Sequence, residues 1–173
     1  EGYDLIPGNM DLTAAEIQLM DMPNRESRLK QVLAPIRADY DFIIIDCPPS
    51  LSLLTLNALA AADGIIVPMQ CEYFALEGLS SLINTIDALK QKLNPALEID
   101  GIIRTMFDIR NNLANAVSNE LTRHFGDVVF RTLVPRNIRL AEAPSHGQSI
   151  LNYDKGSRGA IAYMGLAGEV IRR

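Results

Sequence analysis

An acidic side chain follows a run of three isoleucines in the first third of the chain. The β-branched apolar run at residues 43–45 is too short for a helix and is typical of a strand buried on both faces. Asp46 follows it, and Pro48 and Pro49 should end the strand because proline cannot donate a ladder hydrogen bond. A carboxylate at the carboxyl end of a buried parallel strand lies where open α/β sheets bind ligands. The pattern fits equally well with a second role, in which Asp46 caps the next helix.

Two later groups of residues also follow predicted strands. Met106 and Asp108 come at the end of a strand over residues 99–107, and Pro135 and Arg136 follow a strand over residues 128–134. Taken alone, Asp108 is an ordinary turn former and Pro135 an ordinary strand terminator. Both groups lie at the carboxyl ends of predicted strands.

The elements that position these residues alternate between strand and helix. Strands are predicted at 3–9, 43–45, 65–68, 99–107 and 128–134, and helices at 12–20, 24–36, 52–60, 75–93, 111–125 and 160–171, with a loop over 142–159. Alternation of this kind predicts an α/β fold with a mostly parallel sheet flanked by helices. No linker or repeat interrupts the sequence, so residues 1–173 are predicted to form a single domain.

Composition and charge restrict the function classes. The chain has 48% hydrophobic and 21% charged residues, which is typical of a soluble globular protein, and its two cysteines favour a cytoplasmic location. Neither a signal peptide nor a membrane-spanning run of about 20 apolar residues is expected. Residues 104–173 carry 10 basic and 6 acidic side chains, against 6 and 15 in residues 1–103. A basic end can bind a polyanion, although charge count alone favours an ordinary solvated surface.

Six segments, in order along nearly the whole chain, resemble the ParA/Soj family of chromosome- and plasmid-partitioning ATPases, within the deviant Walker-A P-loop group. They are IPGNMDL at 6–12, DCPPS at 46–50, QCEYFALEG at 70–78, TMFD at 105–108, VPRNIRL at 134–140 and EAPSHG at 142–147. The sequence contains no G-x-x-x-x-G-K-[ST] phosphate loop. The resemblance therefore implies a P-loop NTPase fold of the SIMIBI type that lacks its N-terminal strands, with the phosphate loop expected upstream of residue 1.

The resemblance implies a role for each candidate residue. Asp46 matches the family's Walker B aspartate, the catalytic carboxylate that orders Mg²⁺, through a water, against the β- and γ-phosphates of ATP. Met106, Asp108, Pro135 and Arg136 match the two loops that flank the adenine, with an apolar wall and a polar contact from Asp108.

Four further basic residues are implied to bind DNA. Arg110 and Arg139 match positions where family members use arginine for non-specific DNA binding, and Lys155 and Arg158 are nearby candidates. The ordinary interpretation of each arginine is a surface ion pair. No helix-turn-helix or aromatic stacking motif is visible, so base-specific readout is not expected.

For the whole protein, the resemblance implies an ATP–Mg²⁺-dependent homodimer that binds DNA non-specifically, is stimulated by a ParB-type partner, and works on the nucleoid in the cytoplasm without a membrane. This chain alone is expected neither to hydrolyse ATP nor to bind it tightly, because the phosphate loop and its lysines supply most of the required groups. Unpaired strand edges at residues 43–45 and 65–67 are expected to promote strand-swapped or edge-paired oligomers.

The alternative functions are a MinD-like membrane-cycling ATPase, a non-catalytic DNA-binding or dimerisation module and, more distantly, a nicotinamide-dependent Rossmann enzyme.

Overall fold

The computed structural model describes residues 2–173, which group into two compact units. One unit comprises residues 2–63 and 89–97, and the other comprises residues 64–88 and 98–173. The sequence interpretation of residues 1–173 as one domain stays a prediction.

The first unit is helical in its regular parts. It contains α1 (Asp11–Leu19), α2 (Arg28–Leu33) and α3 (Leu53–Ala61), with short 3₁₀ turns at Arg25–Ser27 and Arg37–Asp39. Ser52 caps α3, since its side chain accepts a hydrogen bond from the Thr55 N–H. The buried Asn57 side chain donates to the carbonyls of Arg25 and Leu53 and accepts from the Leu29 N–H, so one amide fixes α3 against the preceding helices.

Two strands predicted in this unit are not formed. Residues 3–9 and 43–45 are outside the three strands of the described residues, and Ile6 and Ile44 are 79% and 91% exposed. The prediction of a buried strand at 43–45 is therefore wrong for this structure. A strand needs a neighbour for its backbone N–H and C=O groups, and apolar composition alone does not provide one.

The second unit contains a parallel sheet. Its strands are β1 (Gly64–Gln70), β2 (Glu98–Phe107) and β3 (Val129–Pro135), hydrogen-bonded in the order β1-β2-β3 with both pairs parallel. Helix α4 (Ala75–Lys92) follows β1 and α5 (Asn112–Phe125) follows β2. Asn111 caps α5 by accepting from the N–H groups of Leu113 and Ala114, and Gly126, at φ 51°, ends it.

The chain after β3 is more helical than the sequence predicted. It forms α6 (Ile138–Glu142), a 3₁₀ turn at Ala143–His146, α7 (Ile150–Asp154) and α8 (Arg158–Val170). The loop predicted at 142–159 thus contains α7, which Ser149 caps through the Asn152 N–H. Composition favoured a loop here because Gly, Pro and Ser are frequent, but these residues also cap and separate short helices.

Both faces of the sheet are covered by helices. On one face, Ile102 packs with Leu79 of α4 and Leu121 of α5. On the other, Ile103 packs with Phe130 and Val134, beside Leu166 and Val170 of α8. Successive residues of β2 therefore face opposite helical layers, as expected for a parallel strand buried on both sides.

Candidate functional site at the carboxyl edge of the sheet

The loops after β2 and β3 lie side by side. Phe107 and Pro135 are paired in the register of the two strands, and the Arg136 N–H donates to the Phe107 carbonyl at 3.3 Å. The structure thus brings together four residues that the sequence selected as nucleotide contacts: Met106, Asp108, Pro135 and Arg136. Ligands of open α/β sheets bind at this edge of the sheet.

Met106 has an uncommon backbone conformation. Its φ is 51°, and Asn24 is the other non-glycine residue with positive φ in the part of the chain that the structure describes. A left-handed conformation at such a residue costs about 1–3 kcal/mol and is found often at ligand sites. The Met106 side chain is 44% exposed next to the β3 loop, so an apolar surface is presented at the edge. The sequence did not reveal this strain.

Asp108 and Arg110 form an ion pair with each other. Arg110 donates from Nη2 to Asp108 Oδ2 at 2.8 Å, and from Nε and its backbone N–H to Oδ1 at 3.0 Å each. These side-chain and backbone hydrogen bonds lower the pKa of Asp108 to about 2. The sequence assigned the two residues to different ligands, adenine and DNA. In this structure each is the other's partner.

Arg139 also faces carboxylates. Its Nη1 donates to Glu142 Oε2 at 2.8 Å, and its Nε lies 3.5 Å from Asp154 Oδ2. The Tyr153 hydroxyl donates to the same Glu142 oxygen at 3.2 Å, and the His146 ring stacks on Tyr153. This network connects α6 to α7. Arg139 is therefore part of a surface ion pair in this structure.

Lys155 and Arg158 differ from these arginines. Both are exposed, between α7 and α8 and at the start of α8, and neither has an ion pair within residues 2–173. Of the four predicted DNA-binding residues, these two have side chains available to a new anionic partner, whereas Arg110 and Arg139 must exchange one partner for another.

Asp46 belongs to the first unit. It is exposed, in a segment without helix or strand that precedes α3. The neighbouring Cys47 is exposed as well. An accessible carboxylate fits Mg²⁺ that is held by one protein ligand together with waters and phosphate oxygens. No cluster of three or more His, Cys, Asp or Glu side chains within residues 2–173 could hold a metal by itself.

None of the helices between residues 2 and 173 combines the length and apolar character that a bilayer crossing requires.

Comparison with known proteins defines the class. A family model described as an AAA domain matches residues 1–99. Among solved structures, cobyrinic acid a,c-diamide synthase from Mycobacterium smegmatis with bound ADP and magnesium superposes with a TM-score of 0.77 at 36% identity, over 96% of this chain and 60% of that one. The septum site-determining protein MinD complexed with Mg-ADP from Pyrococcus horikoshii gives 0.66 at 26% identity, over 84% and 56%. The fold is that of the P-loop NTPases.

Proteins of similar sequence identify the family within this fold class. The chromosome partitioning protein ParA of Myxococcus xanthus is 54% identical over 169 residues, 98% of this chain and 60% of the relative. The sporulation initiation inhibitor protein Soj of Bacillus subtilis is 52% identical over 170 residues, 98% of this chain and 67% of the relative. The chain belongs to the ParA/Soj family. It spans about two thirds of the length of these relatives.

Proposed function

We propose that this chain is part of a ParA-type DNA-partitioning ATPase, which binds ATP with Mg²⁺, forms a homodimer and binds DNA non-specifically. One observation carries the proposal: the loops after β2 and β3 are hydrogen-bonded together at the carboxyl edge of the sheet, which is where this fold class binds ligands. Family membership and the ADP and magnesium of the M. smegmatis structure support it.

In this proposal the nucleotide's base lies against Met106 and Pro135, with polar contacts from Asp108 or Arg136. The exposed apolar surface of Met106 suits a flat purine, and Asp108, with a pKa of about 2, is an ionised acceptor at neutral pH. Asp46 would hold Mg²⁺ beside the phosphates, and the metal would supply charge neutralisation there. The chain's own contribution is to position the base and the metal.

DNA binding is assigned to Arg110, Arg139, Lys155 and Arg158. All four are exposed, and guanidinium and ammonium groups bind phosphate irrespective of sequence. Because Arg110 and Arg139 are already paired with carboxylates, DNA phosphates must compete with Asp108 and Glu142. Binding should therefore be weak for one chain and sensitive to salt. We place the protein in the cytoplasm on the nucleoid, where a ParB-type partner stimulates hydrolysis and releases it.

A charge-reversal pair tests the DNA assignment. In fluorescence anisotropy with a labelled 20-bp duplex at about 50 mM salt, Arg110→Glu should weaken binding at least about threefold, because one phosphate contact is lost and a repulsive charge is added. Arg123→Glu is the matched control, since Arg123 is also exposed and paired with a nearby acid, Glu120. Arg123 lies in the last turn of α5, about 16 Å along the helix axis from its first residue, whereas Arg110 precedes the helix.

A second variant should act in the opposite direction. Glu142→Gln removes the closest carboxylate from Arg139, so binding should strengthen about two- to fivefold, the range that exposed ion pairs reach. Equal affinities of the wild type, Arg110→Glu and Glu142→Gln would refute the assignment of the DNA surface.

The MinD-like alternative requires a helix with an apolar face free for lipid. On α8, Ala162, Leu166 and Val170 pack against the β2–β3 core, whereas Ile161, Tyr163 and Met164 are exposed, so co-sedimentation with anionic lipid vesicles tests this alternative. The other alternative, a non-catalytic binding module, predicts the same DNA results without any nucleotide affinity. Titration of the full-length protein with a fluorescent ATP analogue and Mg²⁺ distinguishes this module from the proposed ATPase.

A further inference from the structure

A cavity of about 700 Å³ opens beside the start of β3, in the second unit. Its first lining residue on that strand is Val129, so it lies at the opposite end of the strand from Pro135 and the loops described above. Six charged residues line it: Arg104, Asp127, Arg131, Glu169, Arg172 and Arg173. Its volume is within the range of about 300–1,000 Å³ that holds small-molecule ligands.

Arg104 places a buried positive charge in the wall. Its side chain extends from the middle of β2 and is 9% exposed. Nη1 donates to the Ser118 hydroxyl at 2.8 Å and Nη2 to the Phe130 carbonyl at 2.6 Å, while Nε has no acceptor within the described residues. All these partners are neutral. A buried cation without a carboxylate in contact is unusual, and its field acts on the neighbouring cavity.

Neither of the two acidic residues that line the cavity, Asp127 and Glu169, forms an ion pair with Arg104 within residues 2–173. Glu169 accepts from the N–H groups of Arg131 and Thr132 and from the Thr132 hydroxyl, which together keep its pKa low although burial opposes ionisation. Asp127 is exposed and has no ion pair within the part of the chain that the structure describes. Glu169 acts on Arg104 through its charge without contact, and with four arginines against two acids the lining of the cavity has a net positive charge.

Of the three other arginines that line the cavity, Arg173 has a structural role, and Arg131 and Arg172 can contact a ligand. Arg173 donates to the carbonyls of Asp100, Asp127 and Val128 and stacks 4.1 Å from the Phe130 ring, so it holds the C-terminus in place. Arg131 and Arg172 are exposed, and their guanidinium groups have no ion pair or hydrogen bond within residues 2–173. Guanidinium forks match phosphate oxygens in pairs.

We propose that this cavity binds the phosphate group of a phosphorylated small molecule, through Arg131 and Arg172 and with the buried charge of Arg104 in its wall. The cavity is several times larger than a phosphate ion, so it has room for a sugar or a group of similar size. The site is independent of the proposed ATPase function, since it shares no residue with the carboxyl edge.

The test is an NMR titration of the 173-residue chain at constant ionic strength, with inorganic phosphate and ribose 5-phosphate as probes and ribose as the uncharged control. We expect saturable shifts at the amides of Thr122, Gly126 and Arg131, with ribose 5-phosphate the tighter probe. Arg131→Gln and Arg172→Gln should each weaken binding at least about fivefold. Both side chains are exposed, so the variants should fold, which their unchanged spectra elsewhere would verify.

Arg123→Gln is the matched control, because this exposed arginine is close in sequence but does not line the cavity. Shifts that do not saturate, that ribose reproduces, or that persist unchanged in Arg131→Gln would overturn the proposal. A DNA duplex that shifts the same amides when neither phosphate compound does would overturn it too, by identifying a contact for nucleic acid in place of a small-molecule site.

Discussion

At the scale of single residues, the candidate site is governed by pairs of neighbours with opposite charge. Asp108 and Arg110 are two residues apart, and Arg139 and Glu142 are three apart. Arg110 and Arg139 are therefore partly neutralised before any ligand arrives, whereas Arg158, within the described residues, is not. Such exposed pairs contribute little to stability, about 0–1 kcal/mol, so a phosphate can displace the carboxylate at small cost.

The pH dependence of Asp108 follows from its pair. Hydrogen bonds from Arg110 lower the pKa of Asp108 from 3.8 to about 2. A carboxyl whose pKa is lower in the folded than in the unfolded chain stabilises the folded state at pH values above its unfolded pKa. This contribution is lost as the pH falls through the folded pKa of about 2. Carbon-detected NMR of the side-chain carboxyl should record a midpoint near 2. In Arg110→Gln the midpoint should rise towards 3.8.

Arg123→Gln serves as the control for that titration, because it removes a distant arginine of similar exposure. An Asp108 midpoint near 3.8 in the wild type, or one that Arg110→Gln leaves unchanged, would show that the pair does not persist in solution.

At the scale of elements, close packing between β2 and β3 depends on one glycine. A Cβ at Gly101 would lie 2.1 Å from Cε2 of Phe130, whose side chain is fully buried. No heavy atom can occupy that position unless the ring moves, and the ring is enclosed by α8 residues on its face of the sheet. Glycine at 101 is therefore required by a side chain 29 positions later in the sequence.

Gly101→Ala should destabilise the chain by at least about 1–3 kcal/mol, the usual range for overpacking a core. Adding Phe130→Leu should recover part of the loss by making space for the methyl group. Chemical denaturation monitored by circular dichroism measures both effects.

Gly78→Ala provides the matched control. An added Cβ at Gly78, on α4, meets nothing within 4 Å, so alanine should stabilise the helix by about 0.5–1 kcal/mol. If Gly101→Ala were as stable as Gly78→Ala, the close contact between the glycine and the ring would be contradicted.

At the scale of the whole molecule, the chain carries one part of the apparatus that phosphoryl transfer requires. It has a candidate metal ligand and candidate base contacts, but no G-x-x-x-x-G-K-[ST] sequence. Transfer of a phosphoryl group needs positioning and charge neutralisation around the phosphates, most of which the phosphate loop and its lysines supply. Binding of the base alone does not accelerate hydrolysis.

We therefore expect no phosphate release from ATP and Mg²⁺ by this chain above a no-protein control, measured by a colorimetric phosphate assay. Asp46→Asn distinguishes true turnover from contamination, because a contaminating ATPase would be unaffected by the substitution. Turnover that the wild-type chain shows and Asp46→Asn loses would disprove the prediction.

The sequence predicted well those elements whose signals are local. The observed bounds of β1, β2, β3, α4, α5 and α8 agree with the predicted ones to within about three residues, because apolar runs, caps and helix-ending glycines lie inside each segment. It failed at residues 3–9 and 43–45, which form no strand and have no neighbouring strand to pair with. It also missed α7, whose Ser149 cap was interpreted as part of a loop.

The sequence by itself determined the alternation of strands and helices, the family, and the placement of Met106, Asp108, Pro135 and Arg136 after strands, since each depends on neighbours along the chain. Tertiary structure alone decided that the Arg136 N–H bonds the Phe107 carbonyl, that Gly101 faces Phe130, and that Arg104 is buried beside a basic cavity. The physical reason is that register, burial and charge compensation depend on atoms far apart in sequence, which only folding brings into contact.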